Sequence, residues 1–128
     1  MADIAVLDTS ALMAVLRGEP GAVRAAPLLE SGLVSSVNLA EVQTKLVLAG
    51  LEDQLAWWHI AELKCQSVPF DDGQARIAGS LARITEPYGL SFGDRACLAL
   101  AIRRNARVYT ADRNWKNLSL GIEIEVIR

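Results

Sequence analysis

A chain of 128 residues with 52% hydrophobic and 22% charged residues is long enough to bury a core, and too apolar to be disordered. With Lys+Arg 13 against Asp+Glu 15, its net charge of −2 excludes global attraction to a polyanion. No window is long and apolar enough to span a membrane. The opening "MADIAVLDTS" has no basic leader, so no signal peptide is expected. Cys65 and Cys97 lack metal-ligand spacing and read as buried thiols of a reducing cytoplasm.

Short β-rich runs alternate with helical patterns, which predicts one α/β domain over 1–128 with a mostly parallel sheet. "IAVLD" (4–8) is the first strand, followed by a helix over 10–18 closed by Gly18. A further helix begins in "EPGAVRAAPLLES", with Pro20 in its first turn and Pro27 shortening it. "LVSS" (33–36) is the second strand. A helix over 38–50 then runs from an Asn38 cap to Gly50, with Leu39, Val42, Leu46 and Ala49 as its core stripe. The next helix, 51–64, offers Leu51, Leu55 and Trp58 on one face, with Trp57 flanking them for packing or for an apolar interface.

"QSVPF" (66–70) is the third strand, and the helix in "DDGQARIAGSLARITEPYG" ends before Pro87. A helix over 91–105 leads into the strand "ARVYTAD", a turn at 114–118, and a last strand in "GIEIEVIR" of alternating character. The total is five strands and about six or seven helices.

Ligands of an open parallel sheet bind beyond the carboxyl ends of its strands. Asp8 closes the first strand and Asp112 follows the fourth; Glu41 and Asp94 lie in the first turns of two helices. Each acid has a structural reading as well. Ser91-x-x-Asp94 and Asn38-x-x-Glu41 fit a capping box, Glu41 could pair with Lys45, and Asp8 and Asp112 could each cap the adjoining helix or turn. Asp94, however, continues the apolar face of Cys97, Leu98 and Ala101, where a carboxylate beside other carboxylates is costly without a cation. Four acids at four such positions point to a hard divalent ion, Mg²⁺ or Mn²⁺, and to metal-assisted phosphodiester hydrolysis.

The stretches "VLDTSAL", "SSVNLAEV", "LSFGDRACLALA" and "YTADRNW" resemble, in order and spacing, the four motif regions of PIN domains, in particular the VapC-type ribonuclease toxins of toxin–antitoxin pairs. The resemblance covers essentially the whole chain. It implies that Asp8, Glu41, Asp94 and Asp112 form an acidic Mg²⁺ or Mn²⁺ site. Asp8 and Asp94 would lead as direct ligands, and Ser10 and Thr110 would support them. It also implies a sheet in order 3-2-1-4-5, RNA as substrate, a homodimer, a cognate VapB-like antitoxin in a groove beside the site, and a cytoplasmic location. The basic run of Arg103, Arg104, Arg107, Arg113 and Lys116 would then position RNA phosphates.

Two other readings stand beside it. One is a phosphoacceptor or phosphatase-type domain with Asp8 as nucleophile, against which "DTS" carries no second acid two positions on. The other is an inert partner-binding module. Asp71 reads as a helix cap with Gln74, and His59, the only histidine, has no partner for zinc or for a catalytic triad.

Overall fold

The computed structural model describes residues 3–128 and leaves residues 1–2 of the N-terminal stretch outside the description. Five parallel strands form one sheet in the order β3-β2-β1-β4-β5: β1 (Ala5–Leu7), β2 (Leu33–Ser35), β3 (Gln66–Val68), β4 (Arg107–Thr110) and β5 (Ile124–Val126). β1 sits at the centre, with Val6 opposite Leu33 on one side and Val108 on the other. All three of its residues are buried, as expected for a parallel strand covered on both faces. The architecture and strand order agree with the fold expected from the sequence.

The two-residue period of the strands sends successive side chains to opposite layers. Leu7, Val34 and Tyr109 pack beneath α1 (Thr9–Arg17), α2 (Ala22–Ala25), α3 (Ser36–Leu48) and α4 (Asp53–Glu62). Val6, Leu33 and Val108 face α5 (Asp72–Ser80), α6 (Ala82–Thr85) and α7 (Phe92–Arg104), where Leu98, Leu100 and Trp115 are fully buried. Helix α7 is buried along most of its length because Ala96, Ala99 and Ala101 let it lie close to its neighbours. Gly18 closes α1 with a left-handed φ of 63°, a conformation that favours glycine. Among the described residues no helix is long and apolar enough to cross a membrane.

Three local expectations change. Helix α3 starts earlier than expected. Ser35, still extended at the end of β2, is its cap and accepts from Val37 N at 3.2 Å, which places Asn38 inside the helix. The buried stripe is consequently Asn38, Val42 and Leu46, while Ala49 is exposed. Helix α4 turns its other face inward. Ala56 and Ile60 are buried, whereas Leu55, Trp57 and Trp58 are 47%, 48% and 55% exposed. Apolar residues surround this helix, so their periodicity selects no face; the close approach to α3 selects the small Ala56 over the indoles. The helix after β3 breaks at Leu81, before Pro87. Thr85 turns its hydroxyl back to the Leu81 carbonyl at 2.8 Å, and Pro87 enters a 3-10 turn, Glu86–Tyr88.

The α3–α4 contact makes opposite expectations for two neighbouring positions. Ala56→Leu should destabilise the protein by about 1–3 kcal/mol through overpacking, whereas Trp58→Ala should cost less than about 1 kcal/mol. Urea unfolding of both variants measures this, and the reverse ranking would restore the Leu51–Leu55–Trp58 face to the core.

Candidate active site

The strand order puts the ends of β1 and β4 side by side, and both chains leave the sheet there through a carboxylate. Asp8 follows β1 and caps α1, and Asp112 follows β4 and caps the 3-10 turn Arg113–Asn117. Glu41 comes from the second turn of α3, and Asp94 from the third position of α7. All four line one cleft of about 310 Å³.

Asp8 is the anchor, at 3% exposure. Its Oδ1 accepts from Ala11 N at 2.8 Å and its Oδ2 from the Thr110 hydroxyl at 2.5 Å. Ser10 Oγ lies 2.7 and 2.9 Å from the two oxygens. Both hydroxyls are themselves held by the far side of the site: Ala111 N donates to Ser10 Oγ at 2.8 Å, and Asp112 N donates to Thr110 Oγ1 at 3.0 Å. Because Ser10 has a single proton for two oxygens, one acceptor position on Asp8 stays open.

A second set holds Glu41. Thr9 donates to its Oε1 at 2.5 Å, and Asn38 Nδ2 reaches the same oxygen at 3.0 Å. The Asn38 amide also lies 3.1 Å from the Gly93 carbonyl, so it ties α3 to the mouth of α7. Gly93 has room for hydrogen only: a Cβ there would collide with the Glu41 carboxylate. Asp94 completes a capping box. Its Oδ2 accepts from Ser91 N at 2.9 Å, while Ser91 Oγ receives Asp94 N at 3.3 Å, which leaves Oδ1 outside the cap.

The electrostatics record the crowding. Burial pushes the Asp8 carboxyl from 3.8 up to about 6, against the pull of its hydrogen bonds and with a smaller push from Asp94. Asp94 is raised as well, first by burial and then by the charges of Glu41 and Asp112. Cys97, beneath the cluster, is held well above its usual value by burial and by Asp8, Asp94 and Glu41, so it stays a thiol. Arg17, Lys45 and Arg128 stand at the rim and supply the cleft's positive charge.

Among the described residues no group of three or more His, Cys, Asp and Glu is gathered tightly enough to enclose an ion. The donor set nevertheless fits a hard cation of the Mg²⁺ type. Such ions take carboxylate oxygens, keep several waters, and need only one or two protein carboxylates in direct contact.

The sequence-derived site residues Asp8, Glu41, Asp94, Asp112, Ser10 and Thr110 therefore meet in one place. The basic run does not. Arg107 opens β4 at the opposite end of the strands, where it pairs with Glu123 at 2.5 Å, and Arg104 lines a separate cavity there. Arg103 pairs with the capping Asp71 at 3.4 Å. Arg103 and Arg104 end α7, whereas Asp94 begins it, and ten residues of helix put roughly 15 Å between those ends. Arg113 adjoins the site in a side cavity with Ser10 and Asp112, and Lys116 lies exposed in the 3-10 turn beyond it. His59, on α4, contacts Trp58 and not the cleft.

Sequence reasoning missed Thr9, Asn38, Arg17, Lys45 and Arg128. A signal existed for Asn38, since a helix begun at Ser36 puts it four residues before Val42 on a buried stripe. Arg17 is seven residues after Ser10, two turns along the same face of α1.

A family model for the PIN domain matches residues 5–120. The chain belongs to the PIN domain family. Solved PIN-fold relatives cover almost all of it. The DNA-bound VapBC structure from Salmonella typhimurium contains a chain with TM-score 0.75 and 18% identity, covering 99% of this chain and 100% of that one. VapBC-5 of Mycobacterium tuberculosis, a toxin–antitoxin system, is similar at 26% identity and TM-score 0.64, with 99% of each chain covered. VapC20 of the same organism, a toxin that cleaves the sarcin-ricin loop, is similar at TM-score 0.70 and 17% identity, over 93% of this chain and 98% of that one. No curated protein matches.

The raised Asp8 carboxyl makes stability depend on pH. In chelator, Asp8 contributes stability that is complete below its unfolded value of 3.8 and is lost as pH rises through about 6. Asp8→Asn should therefore gain on the wild type between pH 4 and 7, by up to about 3 kcal/mol, in denaturant unfolding; a pH-independent difference would contradict the burial assigned to Asp8. Asn38→Ala should destabilise the protein by about 1–3 kcal/mol, because it strips partners from buried Thr9 and Gly93 groups. A variant as stable as the wild type would show the latch to be idle.

Proposed function

We propose that this PIN domain is a metal-dependent endoribonuclease that acts as the toxin of a toxin–antitoxin pair. The observation that carries the reading is the convergence of Asp8, Glu41, Asp94 and Asp112 on one cleft, with two of the carboxyls raised by burial and mutual repulsion. Such a site favours a divalent cation, and Asp8 and Asp94 are the residues that would hold it, with Glu41 and Asp112 completing the shell directly or through water. The chemistry such an ion supplies is polarisation of a phosphate and a water acidic enough to act as nucleophile.

The chain's own groups do the rest. Ser10 and Thr110 keep Asp8 oriented, and Thr9 and Asn38 do the same for Glu41. Arg17, Lys45, Arg113 and Arg128 border the acids and would receive the phosphates on either side of the cut, the role first expected of the whole 103–116 run. The phosphoacceptor alternative is disfavoured because Ser10, not a second acid, stands two positions after Asp8. The toxin–antitoxin systems among the structural relatives support a VapB-like antitoxin as partner; a homodimer and action in the cytoplasm rest on the family resemblance alone.

Incubation of total RNA with the purified chain, free of antitoxin, in Mg²⁺ or Mn²⁺ and in EDTA tests this. Discrete metal-dependent cuts are expected, with Asp8→Asn and Asp94→Asn each lowering the rate by at least about a hundredfold. A folded wild type that cuts nothing in either metal, or cuts that survive EDTA and both variants, would refute the nuclease and leave a binding module.

A further inference from the structure

The chain has two phenylalanines, and neither is in its core. Phe70 follows β3 and Phe92 opens α7, yet their rings meet edge to face with centroids 5.6 Å apart. Phe92 remains 51% exposed. The Arg95 guanidinium lies over its ring, 6.0 Å from the centroid, and is fixed there by donation to the Ala78 carbonyl at 3.1 Å. Both rings are built onto the elements that carry the acids. Phe70 N donates to Ser36 Oγ at 3.0 Å, at the first residue of α3. Phe92 stands two positions before Asp94 on α7, so the two side chains leave the helix on different sides, and Ser91 and Asp94 line the acid cleft while Phe92 does not.

An aromatic pair held rigidly in solvent, with a cation over it, offers what an unstacked base requires. Single-stranded RNA is read by splaying bases onto aromatic side chains and guanidinium planes, and its phosphates are drawn by neighbouring positive charge. From the geometry we infer that Phe92, backed by Phe70 and Arg95, is a stacking platform for an unpaired base flanking the scissile phosphate. The inference rests on the nuclease reading, because an RNA strand held at the acid cleft is what would carry a flanking base past Ser91 and Asp94 to the ring. Its position beyond β3, the edge strand, sets the direction of the bound strand: from the acids toward the Phe70 side of the sheet. Stacking tolerates any base, so the platform selects for single-strandedness rather than for sequence.

The test compares two polymers in an Asp8→Asn background, where cutting is suppressed: short single-stranded oligoadenylate and an abasic ribose-phosphate polymer of the same length, each titrated by fluorescence anisotropy. Phe92→Leu should weaken oligoadenylate binding about five- to a hundredfold and leave the abasic polymer unchanged, while Phe92→Trp should restore binding. In the cutting-competent chain Phe92→Leu should raise KM for RNA by more than it lowers kcat. Equal losses on both polymers, no loss on either, or binding of neither polymer would overturn the platform. So would a Phe92→Leu chain that keeps its RNA affinity but loses a protein partner. Cleavage of total RNA by the wild type is scored separately, so the platform can fail while the nuclease stands, and a wild type that neither cuts nor binds RNA removes both.

Discussion

One buried carboxyl is the point where three elements of this architecture meet. Asp8 sits where the central strand leaves the sheet, and its oxygens collect the first turn of α1 through Ala11 and Ser10 and the end of β4 through Thr110. Hydrogen bonds to a charged acceptor are among the stronger ones, and here they oppose the desolvation that lifts the group to about 6. The fold thus carries an energetic cost at its seam. A neutral side chain at that position would suit packing better, and the chain keeps an acid there. That is the expected mark of a site whose charge is used, since strain of this kind persists where function needs it.

The sheet is also polarised end to end. Acids gather where the strands end, and much of the basic charge lies where they begin or where α7 stops. Arg107 and Glu123 pair at one end of the strands, while Glu41 and Asp112 press their charge on Asp94 at the other. A net charge of −2 conceals this separation. What cations the cleft does have come from α1, α3 and the last residue, Arg17, Lys45 and Arg128, none of them in the cation-rich part of the sequence.

The acids were legible because each follows a strand or opens a helix, and the parallel order brings those points together. Ser10 and Thr110 were legible only through family resemblance. Asn38 looked like a cap because Ser35 and Ser36 could equally have belonged to the strand, and the boundary moved by two residues once Ser35 Oγ turned to Val37 N. The inward face of α4 was hidden because leucine, indole and isoleucine lie all around that helix, and size, not polarity, decides which side fits against α3. The basic run misled for a plainer reason. Residues 103–116 are contiguous in sequence but run from one end of the strands to the other, so charges adjacent on paper are separated by the length of β4.

Gly93 shows how a site can depend on an atom that is not there. The Glu41 carboxylate occupies the volume where any other residue would place its Cβ, under a backbone carbonyl that Asn38 grips. In a library of single substitutions, position 93 would pattern with the four acids, intolerant even of alanine, although glycine brings no charge, no donor and no side chain to the chemistry. Sorting that library by activity and by abundance would separate it from the core alanines of α7. Those positions fail by unfolding, while this one fails by pushing an acid out of place.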